Sequence, residues 1–168
     1  MDTNQIIQDI IQKEGGFVNN PSDKGGATNF GITAMTLGRW RKLGRPATVE
    51  EVRSMTVQEA KDIYMTEYVV KPGFDRIPDS FLAAQMTDFG VNSGPLLVIH
   101  KLQDILGVPS DGQLGPGTLT ALAGKDSRVV NNQLAVERVK MLGRIVTKTK
   151  TQVPFLSGWL TRALSFIR

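Results

Sequence analysis

Three side chains near the N-terminus, Glu14, Asp23 and Thr28, are of the types that carry out acid-base chemistry together. Isoleucines at helical spacing predict a first helix that ends before Gly15, so that Glu14 is its last side chain. The negative end of a helix dipole disfavours an ionised carboxylate, which suits a general acid. The glycine-rich segment that follows can fold back tightly and bring Asp23 across a small cleft from Glu14.

One protonated and one ionised carboxyl group, held several ångströms apart, are the pair that cleaves a glycosidic bond. In this interpretation Glu14 protonates the leaving oxygen, Asp23 positions or activates water, and Thr28 holds a water molecule or a sugar hydroxyl. On spacing alone the structural alternative is the more common one, because a Glu at a helix end and an Asp in a turn are ordinary residues there.

The scarcity of cysteine and histidine excludes several other mechanisms. The chain has no cysteine and one histidine, so a thiol protease, a thiolate zinc site and a histidine-rich zinc site all lack their residues. A Ser-His-Asp triad would need His100, which lies in an apparent helix, and the chain has no Gly-x-Ser-x-Gly elbow. Acid-base work therefore falls mainly to carboxylates, and neither a metal nor an organic cofactor is expected.

The 168 residues are enough for one ordinary domain, and their apolar spacing is helical almost throughout. We predict a mainly α single domain, with a small irregular or hairpin segment over residues 15–33 after the first helix. Thr48 with Glu51, and Thr56 with Glu59, each predict a helix start with a capping box. Further helices are predicted over residues 80–91, 96–106 and 127–150, and a last one from Pro154, with a buried stripe of Phe155, Trp159, Ala163 and Ile167.

The charge is unevenly distributed along the chain. Residues 1–123 carry 11 Lys/Arg and 14 Asp/Glu, whereas residues 124–168 carry nine and two. Such a basic region could contact nucleic acid, an anionic membrane or an anionic polymer such as the cell wall, or it could be a solvated helix face. No nucleic-acid-binding signature accompanies it, and no apolar run is long enough for stable membrane insertion. The basic residues expected on the exposed face of the long helix are Arg138, Lys140, Arg144, Lys148 and Lys150.

The N-terminal motifs resemble those of glycoside hydrolase family 108, the N-acetylmuramidase-type endolysins. The shared pattern is Glu-Gly-Gly-aromatic from Glu14, then Asp-x-Gly-Gly-x-Thr from Asp23 and Gly-Ile-Thr from Gly31. The order Glu, Asp, Thr is also similar to that of phage-type lysozymes. The resemblance implies a lysozyme-like fold in which Glu14, Asp23 and Thr28 are the catalytic residues.

A second set of motifs is similar to the predicted peptidoglycan-binding region that accompanies this family. It begins at Asp88-Phe89-Gly90-Val91-Asn92, continues through Leu102-Gln103 and Asp111-Gly112, and closes at Gly158-Trp159-Leu160-x-Arg162. The resemblance implies a lysozyme-like catalytic region over residues 1–92 and a peptidoglycan-binding-like helical region over residues 93–168, packed into one compact body.

Four further residues are candidates for binding the substrate. Phe30 and Tyr68 could stack on sugar faces, because an aromatic ring offers apolar area with a polar rim. Asp88 and Asn92 belong to the second set of motifs, and the Asn92 amide could bond a sugar N-acetyl group or serve as a helix cap. For Tyr64 and Trp40, packing in the core is the preferred interpretation.

The resemblance implies hydrolysis of the β-1,4 bond between N-acetylmuramic acid and N-acetylglucosamine in bacterial peptidoglycan. Two alternatives stay open: a lytic transglycosylase, which does not need Asp23 to activate water, and a noncatalytic wall-binding module in which residues 88–123 bind glycan. The N-terminus lacks the pattern of a secretory signal. We therefore expect a monomeric phage endolysin that stays in the host cytoplasm until a holin opens the inner membrane.

Overall fold

A computed structural model describes residues 1–19 and 26–168. The described chain is mainly α-helical with one small hairpin, which confirms the predicted fold class. It forms two compact units, one of residues 4–67 and one of residues 68–168 together with residues 1–3. This division falls at residue 67, whereas the sequence motifs divide the chain after residue 92.

The unit of residues 4–67 contains four helices and the hairpin. The helices are α1 (Thr3–Glu14), α2 (Ala34–Trp40), α3 (Val49–Arg53) and α4 (Val57–Met65), and the strands are β1 (Thr28–Asn29) and β2 (Ile32–Thr33). The strands are antiparallel, with Thr28 opposite Thr33 and Asn29 opposite Ile32. The first helix and the hairpin segment therefore lie where the sequence predicts them, and α1 buries Ile6, Ile7, Ile10 and Ile11.

The two predicted capping boxes differ in the structure. At α3 the box is complete, because Thr48 Oγ1 accepts from the Glu51 backbone N–H and Glu51 accepts in return from that of Thr48. At α4 the Thr56 hydroxyl accepts from the Glu59 N–H, but the Glu59 carboxylate binds Arg41 through two bonds of 2.8 and 2.6 Å. Glu59 therefore links the start of α4 to Arg41, the residue that follows α2.

The unit of residues 68–168 is built around a buried helix. Its helices are α5 (Ser80–Ser93), α6 (Pro95–Leu106), α7 (Pro116–Ala123), α8 (Ser127–Lys148) and α9 (Leu156–Leu164). A π-helical segment covers Thr66–Val70, and 3-10 segments cover Phe74–Arg76 and Lys150–Phe155. Residues 82–90 of α5 are all buried, and both α6 and α8 pack against this helix. None of the helices in the described part of the chain is long and apolar enough to cross a membrane.

The C-terminal region departs from the predicted pattern. Pro154 does not start the last helix but lies within the 3-10 segment, and α9 begins at Leu156. The 3-10 geometry has three residues per turn, which shifts the register on entry into α9. Ala163 is buried as predicted, but the stripe is wrong for Phe155 and Ile167, which are 57% and 45% exposed.

Four of the five basic residues predicted on the exposed face of α8 are indeed exposed. They are Lys140, Arg144, Lys148 and Lys150, the last of which follows the end of the helix. The prediction is wrong for Arg138, which is only 4% exposed and forms an ion pair with Asp88 on α5 at 2.7 Å. Arg138 can be buried because the buried Asp88 carboxylate compensates its charge. The sequence around Arg138 does not reveal this partner.

Candidate active site

Glu14 is exposed at the C-terminal end of α1, as predicted. The helix ends there because Gly15 adopts a left-handed backbone conformation, with φ of 76°. Glu14 thus lies in the last turn of α1, at the negative end of the helix dipole. Asp23, the second predicted catalytic residue, lies outside the described residues.

Phe30 and Gly31 form the two-residue turn between β1 and β2. Their φ angles are 51° and 76°, and positive values at both central positions are typical of a type I′ turn. Positive φ is a strained conformation for Phe30, which lacks the freedom of glycine, and such strain costs about 1 to 3 kcal/mol. The Tyr64 hydroxyl on α4 donates to the Phe30 carbonyl at 3.0 Å, so α4 helps to hold this turn.

Gly31 is the point at which the turn, α1 and α4 meet. A Cβ atom built at Gly31 would lie 2.7 Å from the Tyr64 hydroxyl oxygen and 3.1 Å from Glu14 Oε2. A side chain at position 31 would therefore crowd both the phenol and the carboxylate, and glycine avoids this crowding. This arrangement places the Glu14 side chain beside a turn that α4 keeps in a defined position.

Two contacts with α3 hold the hairpin from its other side. The buried Asn29 side chain donates to the carbonyls of Val52 and Arg53, at 3.0 and 3.3 Å. The Arg53 guanidinium lies 4.7 Å from the centre of the Phe17 ring, within the range of a cation-π contact. The aromatic residue of the Glu-Gly-Gly-Phe motif thus packs against α3 and has a structural role.

Thr28 lies in β1, two residues before the turn. It is half-buried, and its backbone N–H and carbonyl exchange hydrogen bonds of 2.8 Å with Val18, which extends the hairpin by one bridge. The hairpin therefore carries both Thr28 and Phe30, two of the predicted site residues. Phe30 is half-buried within the turn that borders Glu14.

Asp88 is at the centre of a buried ion-pair network in the unit of residues 68–168. The carboxylate is 1% exposed; its Oδ2 accepts from Arg138 on α8 at 2.7 Å, and its Oδ1 accepts from Arg162 on α9 at 2.7 Å and by a second bond. Burial lowers the pKa of Arg138, while the charge and hydrogen bond of Asp88 counteract this effect. Both carboxylate oxygens are occupied, so the geometry favours a structural role for Asp88 over sugar binding.

Asn92 and Tyr68, the other candidates in this unit, have different surroundings. Asn92 is exposed near the end of α5, and its side-chain amide donates to the Asp88 carbonyl at 2.7 Å, one turn earlier in the helix. Within residues 1–19 and 26–168 no donor faces its amide oxygen, which can therefore accept from a ligand. Tyr68 is half-buried in the π-helical segment beside the buried Val69.

The Leu-Gln and Asp-Gly motifs of the second resemblance form one hydrogen-bond network around Gln103. This side chain is fully buried, and its amide nitrogen donates to Asp111 Oδ1, the Gln113 carbonyl and Thr118 Oγ1. Its amide oxygen accepts from the Gly112 N–H at 2.9 Å. Gln103 thus connects α6 to the loop before α7, so these motif residues determine the local fold.

Tyr64 is the residue whose position beside Glu14 could not be anticipated. Tyr64 is 4% exposed, which confirms the prediction that it packs in the core, but its hydroxyl also reaches the hairpin turn. The Asn-Phe-Gly run at residues 29–31 indicates a turn, yet no local pattern links it to residue 64.

Among the described residues, no cluster of His, Asp and Glu could hold a metal ion.

If the chain is the peptidoglycan hydrolase that its motifs imply, replacing Gly31 by Ala is expected to lower its activity roughly tenfold or more, because the new methyl group displaces Glu14 or Tyr64. Gly44→Ala is the matched control: Gly44 has a similar φ of 68°, but a Cβ there meets nothing within 4 Å. Both variants carry the strain of a left-handed alanine, about 1 to 2 kcal/mol. Turnover and melting temperature are measured for both variants. Equal activity of the two would show that crowding of Glu14 and Tyr64 at position 31 does not affect the reaction.

Comparisons with known proteins agree with the motifs. A family model described as Glycosyl hydrolase 108 matches residues 7–94, and one described as Predicted Peptidoglycan domain matches residues 98–164. The solved structure of Brucella abortus SagA is 35% identical in sequence to this chain, with a TM-score of 0.73. The match covers 98% of this chain and 94% of that one. A search of curated proteins returned no match.

Proposed function

Because the chain belongs to the glycosyl hydrolase 108 family and carries a predicted peptidoglycan domain, we propose that it is an N-acetylmuramidase. The family and the domain together support a glycoside hydrolase that cleaves or binds peptidoglycan. The finer assignment is to the β-1,4 bond between N-acetylmuramic acid and N-acetylglucosamine. The observation that carries the catalytic role is the position of Glu14, exposed at the end of α1 and bordering the hairpin turn at Gly31. The choice of this bond is supported by the motifs from Glu14 to Thr33, which resemble those of N-acetylmuramidase-type endolysins.

In the proposed mechanism, Glu14 protonates the oxygen of the leaving sugar as the glycosidic bond breaks. Asp23 then activates water or stabilises the positive charge that develops on the ring, with Thr28 assisting. Tyr64 does not take part in proton transfer in this mechanism. Its bond to the Phe30 carbonyl holds the turn that borders Glu14, which keeps the acid in one place.

Mass spectrometry of the fragments released from purified peptidoglycan tests this proposal. A muramidase leaves fragments with N-acetylmuramic acid at the reducing end. A glucosaminidase leaves N-acetylglucosamine there, a lytic transglycosylase leaves a 1,6-anhydro ring, and a binding module releases nothing. Any of the last three results would overturn the muramidase assignment.

The role of Asp23 is tested by two substitutions. Asp23→Asn is expected to lower hydrolysis roughly tenfold or more, because it removes the charge that activates water, whereas Asp23→Glu retains some activity. A residue with only a structural role at an exposed turn would change stability by about 0.5 kcal/mol or less and leave turnover intact. Turnover and melting temperature are compared for both variants; full activity in Asp23→Asn would remove Asp23 from the catalytic residues.

The proposal extends to a phage endolysin that reaches the wall after a holin opens the inner membrane. It is supported by the N-terminal motifs from Glu14 to Thr33, which resemble those of endolysins. Expression in a bacterial host, with and without a co-expressed holin, tests it. Lysis that requires the holin is expected, and equally rapid lysis without one would contradict this route.

A further inference from the structure

The C-terminal part of the chain is a cationic region without acidic residues. Residues 138–168 contain seven Lys/Arg and no Asp or Glu. Four of these cations have partners: Arg138 and Arg162 bind Asp88, Lys140 binds Glu137, and Arg168 binds Asp79. Arg144, Lys148 and Lys150 are exposed, and none of them has an ion-pair partner among the residues that the structure describes.

The unpaired cations lie along one face of α8 and just beyond it. Arg144 and Lys148 are one turn apart, and with Lys140 they line an open concavity of about 380 Å³. The other residues of this concavity are Gly143 and Thr147, so it contains no anionic side chain. The positive charge of this concavity is suited to binding phosphate groups on the surface of a partner.

Exposed apolar side chains follow directly after these cations. Val153 and Phe155 in the 3-10 segment are 49% and 57% exposed. The Phe155 ring stacks on the half-buried Trp159, with ring centres 6.0 Å apart and planes 24° apart. Lysine and arginine beside exposed Trp, Phe and aliphatic groups are the composition of segments that lie in a membrane interface.

We propose that Arg144, Lys148, Lys150, Val153, Phe155 and Trp159, here termed the C-terminal surface, dock onto an anionic phospholipid bilayer. The cations would bind lipid phosphates, while Val153 and Phe155 enter the boundary between headgroups and acyl chains. A sugar could stack on the rings of Phe155 and Trp159, but it offers no apolar partner for Val153. Acyl chains offer an apolar partner for all three of these residues. The contact is peripheral and reversible, and it does not depend on the muramidase assignment.

Vesicle binding tests this proposal with the whole 168-residue chain. Sedimentation with vesicles of phosphatidylglycerol and phosphatidylethanolamine is expected, together with a blue shift of tryptophan emission. Vesicles of phosphatidylcholine alone are expected to bind weakly. Replacing Arg144, Lys148 and Lys150 by Gln is expected to weaken partitioning roughly hundredfold, and high salt should weaken that of the parent protein.

Matched variants distinguish binding by the C-terminal surface from a general effect of the protein's net charge. Arg39, Lys42 and Lys125 are exposed cations elsewhere in the chain, and replacing these three by Gln lowers the net charge equally. This control is expected to keep vesicle binding, and Trp159→Phe is expected to remove the blue shift while Trp40 is retained. Phe155→Ser is expected to weaken partitioning without abolishing the salt dependence.

Three results would overturn the proposal. One is that the protein sediments with purified peptidoglycan sacculi but not with anionic vesicles, which would make the C-terminal surface a wall-binding site. Another is that both triple variants lose vesicle binding to the same extent, which would reduce the effect to net charge. The third is that the parent protein binds neither. Because the vesicles contain no glycan, a failure of the muramidase assignment would leave these measurements unaffected.

Discussion

Glu14→Gln is expected to abolish nearly all peptidoglycan hydrolysis while the protein stays folded. The amide preserves the shape of the side chain but has no proton to transfer, and loss of a general acid typically costs about 10² to 10⁴ in rate. Glu14 is exposed and forms no salt bridge within the described residues, so the substitution removes little that stabilises the fold. Clearing of a peptidoglycan suspension measures the rate, and circular dichroism measures the fold.

Glu50→Gln is the matched control for this substitution. It makes the same chemical change at an exposed site on α3, where Glu50 pairs with Arg53, three residues along the same helix. Its activity is expected to equal that of the parent protein. If folded Glu14→Gln also cleared suspensions at the parent rate, Glu14 would not be the acid, and another group would have to protonate the leaving sugar.

Asp88→Ala is expected to lower the free energy of unfolding by about 3 to 5 kcal/mol, because it leaves Arg138 buried without its partner. The loss is much larger than for an exposed pair, since water cannot solvate a guanidinium that is 4% exposed. Urea denaturation measures the difference. Because Asp88 connects α5 to both α8 and α9, we expect the whole unit of residues 68–168 to be weakened.

The same variant distinguishes packing from substrate binding. Glu50→Gln again serves as the control: it breaks an exposed pair, and its expected effect on stability is about 0.5 kcal/mol or less. Activity of Asp88→Ala is measured at a temperature where the variant is fully folded, and there it is expected to be close to that of the parent. If the stability of Asp88→Ala were unchanged and its KM were raised, Asp88 would be a substrate-binding residue.

The sequence by itself determined the features that depend on neighbouring residues. Isoleucine spacing and Gly15 place Glu14 at the end of α1, and Asn29-Phe30-Gly31 marks the turn of the hairpin. The excess of basic residues after position 124 is likewise a property of composition. Helix periodicity, caps and turns are local, because each depends on side chains within a few positions of one another.

The tertiary structure alone decided which distant side chains meet. Tyr64 borders Glu14 because α4 packs against the hairpin turn, and Arg138 is buried because Asp88, 50 residues earlier, is its partner. A charged residue on a helix has the same local pattern whether it faces water or a buried carboxylate. Phe155 is the opposite case, a residue that is predicted to be buried but is exposed. Its helical spacing predicts burial, but it lies in the 3-10 segment before α9 and is exposed. Burial and pairing are decided by elements far apart in the chain, which local periodicity does not encode.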